Sequence, residues 1–383
     1  MTDVSIVRCG SYDEAEVTAA LKAVLEPLGG LEWVRPGMKI AVKANLVTFM
    51  KPESAATTHP SLLCALVRML RERGAEVVVG DSPGGLYNAA FVNRVYAATG
   101  MKQVEQAGAK LNHNFGESRA VFSRAKVAKE FVYTAWLDDC DAIIDFCKLK
   151  SHGMMSMSAA VKNLFGTIPG TLKPEYHFKY PDEADFANML VDLNEYFKPR
   201  LSIADAVIGM EGNGPTAGEP RKIGALMASE SPYHLDLVCA DVIGVTMNDV
   251  PTIRAAHERG LCPATSAELN IAGDLDGLRI PDFKNILSHR GLQFQGSGSL
   301  MSRLTGRVIS VALSSKPDVV EKNKCVGCGV CAGICPAHAI AIRDKLPKID
   351  RKKCIRCFCC QEFCPKGAMV VKRPLIAKLL NRN

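Results

Sequence analysis

Two stretches of this chain share one spacing of cysteines: Cys325-x2-Cys328-x2-Cys331-x3-Cys335-Pro336 and, 29 residues on, Cys354-x2-Cys357-x2-Cys360-x3-Cys364-Pro365. Nine of the 15 cysteines fall between positions 325 and 364. Thiolates at this short spacing can all be aimed at one cubic iron–sulfur cluster by a tight loop. The proline then turns the chain so that the fourth thiolate reaches the other cluster. The pattern therefore assigns one [4Fe–4S] cluster to Cys325, Cys328, Cys331 and Cys364, and a second to Cys354, Cys357, Cys360 and Cys335. Zinc takes ligands in pairs rather than as a triplet plus Cys-Pro, and a cytosolic chain disfavours structural disulfides. Cys359, inside FCC, breaks no spacing and reads as a spare buried thiol.

The repeat resembles a two-cluster bacterial ferredoxin over about residues 319–370. The intervening AIAIRDKLPKID reads as the short hairpin that such a small α+β, ferredoxin-like 2[4Fe-4S] domain needs. We place this domain at residues 317–372, followed by a basic C-terminal tail at 373–383. The net charge of +7 is confined to this end: from Asp318 onward there are 14 Lys+Arg against 5 Asp+Glu, and before it 33 against 35. Two oxidised clusters leave that region basic. An acidic redox partner such as a ferredoxin or flavodoxin is then a better match than nucleic acid.

Residues 1–316 read as an α/β domain. Apolar or β-branched strands are expected at MKIAVKANLV (38–47), AEVVVG (75–80), AIIDFCK (142–148), LSIADAVIGM (201–210) and GALMAS (224–229). Helices are expected at Ser61–Gly74, Asn88–Thr99, Asp185–Phe197 and His234–Met247. The alternation predicts a doubly wound, mainly parallel sheet whose functional loops lie beyond the carboxyl ends of the strands. Neither a dinucleotide fingerprint nor a Walker loop is present. No apolar run reaches the roughly 18 residues of a membrane span, and the N-terminus has no signal-peptide pattern. The expected location is the cytoplasm.

The strand-end loops hold the candidate anion-binding residues: Lys43 and Asn45, Asp81 and Ser82, Lys148 and Lys150, Ser158, and Glu211 and Asn213 in the glycine-rich EGNGPTAGEP. KLKSHGMMSMSAAVKNLFG (148–166) is the densest of them. A helix beginning near Ser156 would put Met157, Ala160, Val161 and Leu164 in the core, with Ser158 and Lys162 on the opposite face. Ser156 would cap it, and its free N–H groups would form an anion site. A core helix with one solvated lysine is the plainer alternative. Lys148, Lys150 and His152 alternate along one side of the lead-in, and His152 suits proton delivery. His177 could reach the site, whereas His113, His257 and His289 read as surface residues. Asp205 and Asp236, in apolar segments, would position the lysines or form structural ion pairs.

KLKSHGMMSMSAAVKNLFGTIPG, GMEGNGPTAGEP and VKANLV together resemble the domain of unknown function 362 family, iron–sulfur proteins often carrying such a ferredoxin tail. That resemblance spans nearly the whole chain and implies an electron-transferring or reductive role. His152-Gly153, Lys162 and Pro169-Gly170 are also similar to a motif of nickel-pincer lactate racemases. There the matching histidine is an acid/base and the matching lysine helps hold the cofactor. Ser158-Ala159-Ala160 stands where that family has Ser-Gly-Gly. The expectation is an anaerobic iron–sulfur oxidoreductase. A low-potential donor would feed two clusters, and an anionic substrate would sit in the α/β domain with His152 and Lys162 as its catalytic pair. The alternative is a non-catalytic electron carrier or cofactor-maturation protein, and either reading leaves room for a further metal or flavin in the α/β domain.

Overall fold

The computed structural model describes residues 2–286, 316–319 and 322–372. His289 and the tail predicted at 373–383 lie outside the described residues. In chain order the first strands are β1 (Val4–Arg8), β2 (Lys39–Lys43), β3 (Glu76–Gly80), β4 (Lys110–Leu111), β5 (Glu117–Val121) and β6 (Glu130–Thr134). They are followed by β7 (Ala142–His152), β8 (Ser156–Ser158), β9 (Leu201–Glu211), β10 (Glu219–Ser229) and β11 (Ile271–Ala272). β5 and β6 pair only with each other, and the other nine form one sheet of order β11-β1-β10-β9-β7-β2-β3-β4, with β8 on β7. The sheet is mixed but mostly parallel, with β10 antiparallel to both β1 and β9 and β8 antiparallel to β7.

Helices cover both faces because the central strands are apolar on both sides. Along β9, Ile203 and Val207 join the core under the helices Glu14–Leu25 and Pro60–Glu72. Ala204 and Ala206 join the core under Glu183–Phe197 and Pro232–Val242. Caps set the helix starts: Asp13, Asn88 and Asp182 accept backbone N–H groups of the first turn, and Pro60 opens its helix at the position where proline is tolerated.

The segment 152–166 departs from its expected helix. β7 runs through KLKSH, and the chain turns back into β8, pairing Lys150 with Ser158 and His152 with Ser156. The turn is held by the His152 ring, whose Nδ1 accepts the N–H groups of Met154 at 3.1 Å and Met155 at 3.2 Å. Ser156 has φ +60° and opens β8 rather than a helix. Helix begins only at Ala160–Asn163 and tightens into a 3-10 turn at Leu164–Thr167. Its first N–H groups are taken, because Asp236 accepts from Ala160 N at 2.6 Å and Val161 N at 3.3 Å. Asp236 is thus a remote cap, and no anion site is left at this helix start. Asp236→Ala strands both donors and should cost about 1–3 kcal/mol in a denaturant titration. An unchanged midpoint would show that the cap is dispensable.

In the C-terminal module, β12 (Lys316–Val319) pairs with β15 (Met369–Lys372), and β13 (Ile340–Arg343) with β14 (Leu346–Ile349). The second pair is the hairpin expected between the cysteine runs. Short helices at Val330–Gly333 and Cys359–Glu362 each contain the third cysteine of a run, Cys331 and Cys360.

Candidate functional site

Two cavities in the module bear on the cysteines. One is lined by Cys325, Cys328, Cys331 and Cys364, and the other by Cys335, Cys354, Cys357 and Cys360 with Cys359 beside them. Gly327, at φ +67°, lets the first loop pass the Lys345 backbone, which a Cβ would meet at 3.0 Å. Four thiols around an apolar hollow fit an iron–sulfur cube better than a single ion. Among the described residues, no three His, Cys, Asp or Glu gather closely enough to hold one metal ion. The second set is the more buried: Cys357 and Cys360 are buried and none of its four is exposed, whereas in the first set Cys331 alone is buried and Cys328 is exposed.

The module docks onto the carboxyl end of the sheet. Gln361 Nε2 donates to the carbonyls of Asn213 at 2.9 Å and Gly214 at 3.3 Å. Thr216 Oγ1 donates to the Glu362 carbonyl at 3.1 Å. The glycine-rich loop 211–220 therefore grips the helix Cys359–Glu362, and its Pro215 lines the cavity described next. Asn213 serves this contact through its backbone, and Glu211 is turned to Lys284, 3.3 Å away. Neither lines the cavity described next.

Between sheet and module lies a cavity of about 80 Å³, measured by where the centre of a water molecule can sit. Lys43, Asn45, Asp81, Ser82, Lys150, His152, Ser158 and Lys162 all line it, as do Asn163, Lys173 and His177; Glu362 and Phe363 of the module close it. Lys43 is fixed by Asp81 at 2.8 Å and by Asn163 Oδ1 at 2.8 Å. Lys150 donates to Asn45 Oδ1 at 2.7 Å and to the Ala56 carbonyl at 2.8 Å. Lys173 donates to the Ser82 carbonyl. Lys162 makes no hydrogen bond or ion pair among the described residues. Its Nζ lies over the rings of Phe165 at 4.8 Å and Phe186 at 5.9 Å.

Lys148 does not reach this cavity. Its ammonium is 2.9 Å from Asp205 and 2.8 Å from the Tyr12 hydroxyl, and both side chains of the ion pair are buried. The pairing with β9 shifts register between Lys148 and Lys150, which separates two lysines that strict alternation would put side by side.

Burial depresses the bases. Lys150 and Lys173 are each pushed down to about 7, mainly by loss of water, and His177 to about 3. Burial also lowers Lys162 and His152, against the pull of Glu362. The same burial would raise the Glu362 carboxyl, but His152 and Lys162 outweigh it and hold the group well below the usual carboxylate range. His152 Nε2 is 2.9 Å from Glu362 Oε1, yet the ring N–H does not point along that line, so neither atom has a directed hydrogen bond. With Nδ1 accepting two backbone N–H groups, the neutral ring carries its proton on Nε2, facing the cavity side.

Residues 40–241 match the family described as Domain of unknown function (DUF362). The chain belongs to that family. Residues 317–365 match a 4Fe-4S dicluster domain, which makes this DUF362 member an iron–sulfur protein with a ferredoxin-like module. It is 35% identical over 273 residues to a thylakoid-associated protein of Synechocystis sp., covering 70% of this chain and 82% of that one. Two solved structures are more distant. A protein from Thermotoga maritima matches at TM-score 0.36 and 15% identity, over 56% of this chain and 55% of that one. The lactate racemase apoprotein of Thermoanaerobacterium thermosaccharolyticum matches at TM-score 0.40 and 11% identity, over 64% and 58%. The chain thus spans little more than half the length of either. Among the described residues no helix is long and apolar enough to cross a membrane.

Lys173, Glu362 and Phe363 are among the cavity residues of this DUF362 chain that escape a reading by strand ends. Lys173 precedes His177 by one helical turn in KPEYHFK, and that spacing was the available signal. Glu362 and Phe363 occupy variable positions of the C-x3-C spacer, where nothing in the sequence marks them.

Proposed function

We propose that the protein is an oxidoreductase that reduces a small anionic substrate held in the cavity between sheet and module. One [4Fe–4S] cluster is held by Cys325, Cys328, Cys331 and Cys364, and a second by Cys354, Cys357, Cys360 and Cys335. Their chemistry is the supply of single electrons from a low-potential, acidic donor such as a ferredoxin or flavodoxin. The observation that carries the reading is the cavity wall: Glu362 and Phe363, between the ligands Cys360 and Cys364, face the lysines and histidines of the sheet. The first set, with Cys328 exposed, is the side open to donors, and the second set, with Cys357 and Cys360 buried, is the side nearer the substrate.

The chain's own groups divide the remaining work. Lys150, Lys162 and Lys173 bind the anion, while Lys43, fixed by Asp81, orients Asn163. His152, whose Nδ1 is taken by two backbone N–H groups, stays neutral and directs its Nε2–H at the substrate as a hydrogen-bond donor to the developing charge, with Glu362 beside it. The proton that the reduction consumes comes from Lys150 or Lys173. The seven cysteines outside the ligand sets are all free thiols, which fits a reducing cytoplasm.

Anaerobically purified protein should carry about eight irons, and Cys360→Ser or Cys331→Ser should each lower that content. His152→Ala should retain the iron and its reducibility by dithionite. It should slow anion-dependent reoxidation of the reduced protein by about 10²–10³-fold, the span of one hydrogen-bond donor to developing charge. If electron delivery to a partner protein survives in His152→Ala while no small anion reoxidises the wild type, the protein is a carrier and not an enzyme.

A further inference from the structure

The charges around the cavity do not balance. Four ammonium groups line it, Lys43, Lys150, Lys162 and Lys173, against two carboxylates, Asp81 and Glu362. Lys43 is matched by Asp81, and Lys162 lies in the field of Glu362. Lys150 and Lys173 hold only neutral acceptors, the Asn45 side chain and the Ala56 and Ser82 carbonyls. Two positive charges are left without counter-charge behind a wall that excludes bulk water. An uncompensated buried charge is strongly unfavourable, so a site built this way points to a ligand that supplies the missing negative charge.

Unmet hydrogen-bonding capacity points to the same place. His177 Nδ1 and His152 Nε2 are buried and lack a directed partner. The bases also converge. Around the single ring of Phe165 lie Lys162 Nζ at 4.8 Å, Lys173 Nζ at 5.8 Å and the His177 ring at 5.6 Å. One compact ligand can meet all three.

We propose that the cavity takes one small dianion, of about five to eight heavy atoms at roughly 10–15 Å³ per water-sized position, which brings the site to neutrality. This names the substrate class for the cavity assigned above and rests on that assignment. It does not depend on electrons reaching the ligand. A dicarboxylate and a phosphate-like ion share the required chemistry.

Binding should also take up protons. Lys150 faces Lys162, Lys148, Glu362 and Asp81, and Lys173 faces Asp81, Lys43, Lys162 and Glu362. With both amines pushed down to about 7, they are largely neutral at pH 8 and largely charged at pH 6. A dianion beside them raises both again. Uptake is therefore expected at pH 8 and little at pH 6, and affinity should fall as pH rises above 7.

Calorimetry on the full, cluster-loaded protein tests this with malonate, inorganic phosphate and acetate, each in two buffers of different ionisation heat. Malonate or phosphate should bind at least tenfold more tightly than acetate, and the stronger of the two tells a dicarboxylate site from a phosphate site. The heat at pH 8 should differ between buffers by the amount that marks proton uptake. Lys173→Met should weaken dianion binding at least tenfold while leaving iron content and melting temperature at or above the wild type, since it removes an uncompensated charge. Lys150→Met provides a second variant with the same expectation. Equal affinity for acetate and malonate, absence of dianion binding, or buffer-independent heats at pH 8 would overturn the proposal. Tight dianion binding without reoxidation by any dianion would support it and sink the oxidoreductase reading instead.

Discussion

Lys148→Met should destabilise the folded chain by about 3–5 kcal/mol, the loss expected when one partner of a buried ion pair is removed. Asp205 has no exposed surface, and Lys148 is its one cationic neighbour within ion-pair distance among the described residues. The carboxylate would keep three donors, the Tyr12 hydroxyl at 2.9 Å, His59 N at 3.0 Å and Val207 N at 3.3 Å, but no positive charge. Tyr12 would lose its own donor from Lys148 while staying stacked on His59, with ring centroids 3.6 Å apart. A second change, Asp205→Asn, should recover most of the loss, because it removes the stranded charge and keeps acceptors for part of the network. Urea titration measures both. The same variant should leave malonate or phosphate affinity within twofold of wild type, since Lys148 does not reach the cavity. A tenfold loss of anion affinity with little loss of stability would return Lys148 to the binding site.

That contrast marks where the sequence stops being informative. The cysteine runs were legible because a cubic cluster demands ligands a few residues apart, so the geometry is written into local spacing. The apolar strands were legible for a similar reason, since burial on both faces leaves an unbroken run such as AIIDFC. Lys43, Asn45, Asp81, Ser82, Lys150, His152, Ser158 and Lys162 were found because strand ends in a parallel sheet share one edge. Lys148 was misplaced by a register shift, which no period-2 pattern shows. The helix expected at Ser156 failed because His152 closes a turn with its own ring, a contact that the Met stripe cannot reveal. EGNGPTAGEP reads as an anion loop, and in the structure it also docks the module through Asn213, Gly214 and Thr216. Glycine marks close backbone approach without saying what approaches. Glu362 and Phe363 became cavity residues only because two regions some 200 residues apart in sequence meet there.

The docking that creates the cavity can be tested at its tightest point. A Cβ on Gly84 would lie 2.5 Å from the Phe363 ring, far inside contact distance. Gly84 does not have a positive φ, so the demand for glycine is one of space and not of backbone conformation. Gly84→Val should therefore push Phe363 out of the wall, in a contact where a Cβ on Gly153 would likewise lie 3.0 Å from Val371. The two cluster sites lie on the module side of that contact, so iron content should stay at about eight. The cavity should open to water, which weakens every charge interaction inside it. Dianion affinity is expected to fall at least tenfold, and hydrogen exchange should speed up across residues 150–166. Phe363→Ala removes the obstructing ring and should restore docking in the Gly84→Val background, giving a coupling energy between the two sites in a double-mutant cycle. If Gly84→Val alone retains both the exchange protection and the dianion affinity, then Phe363 is not a wall of the site, and the path from the buried cysteines to the anion has to lie elsewhere along the Gln361 contact with the 211–220 loop.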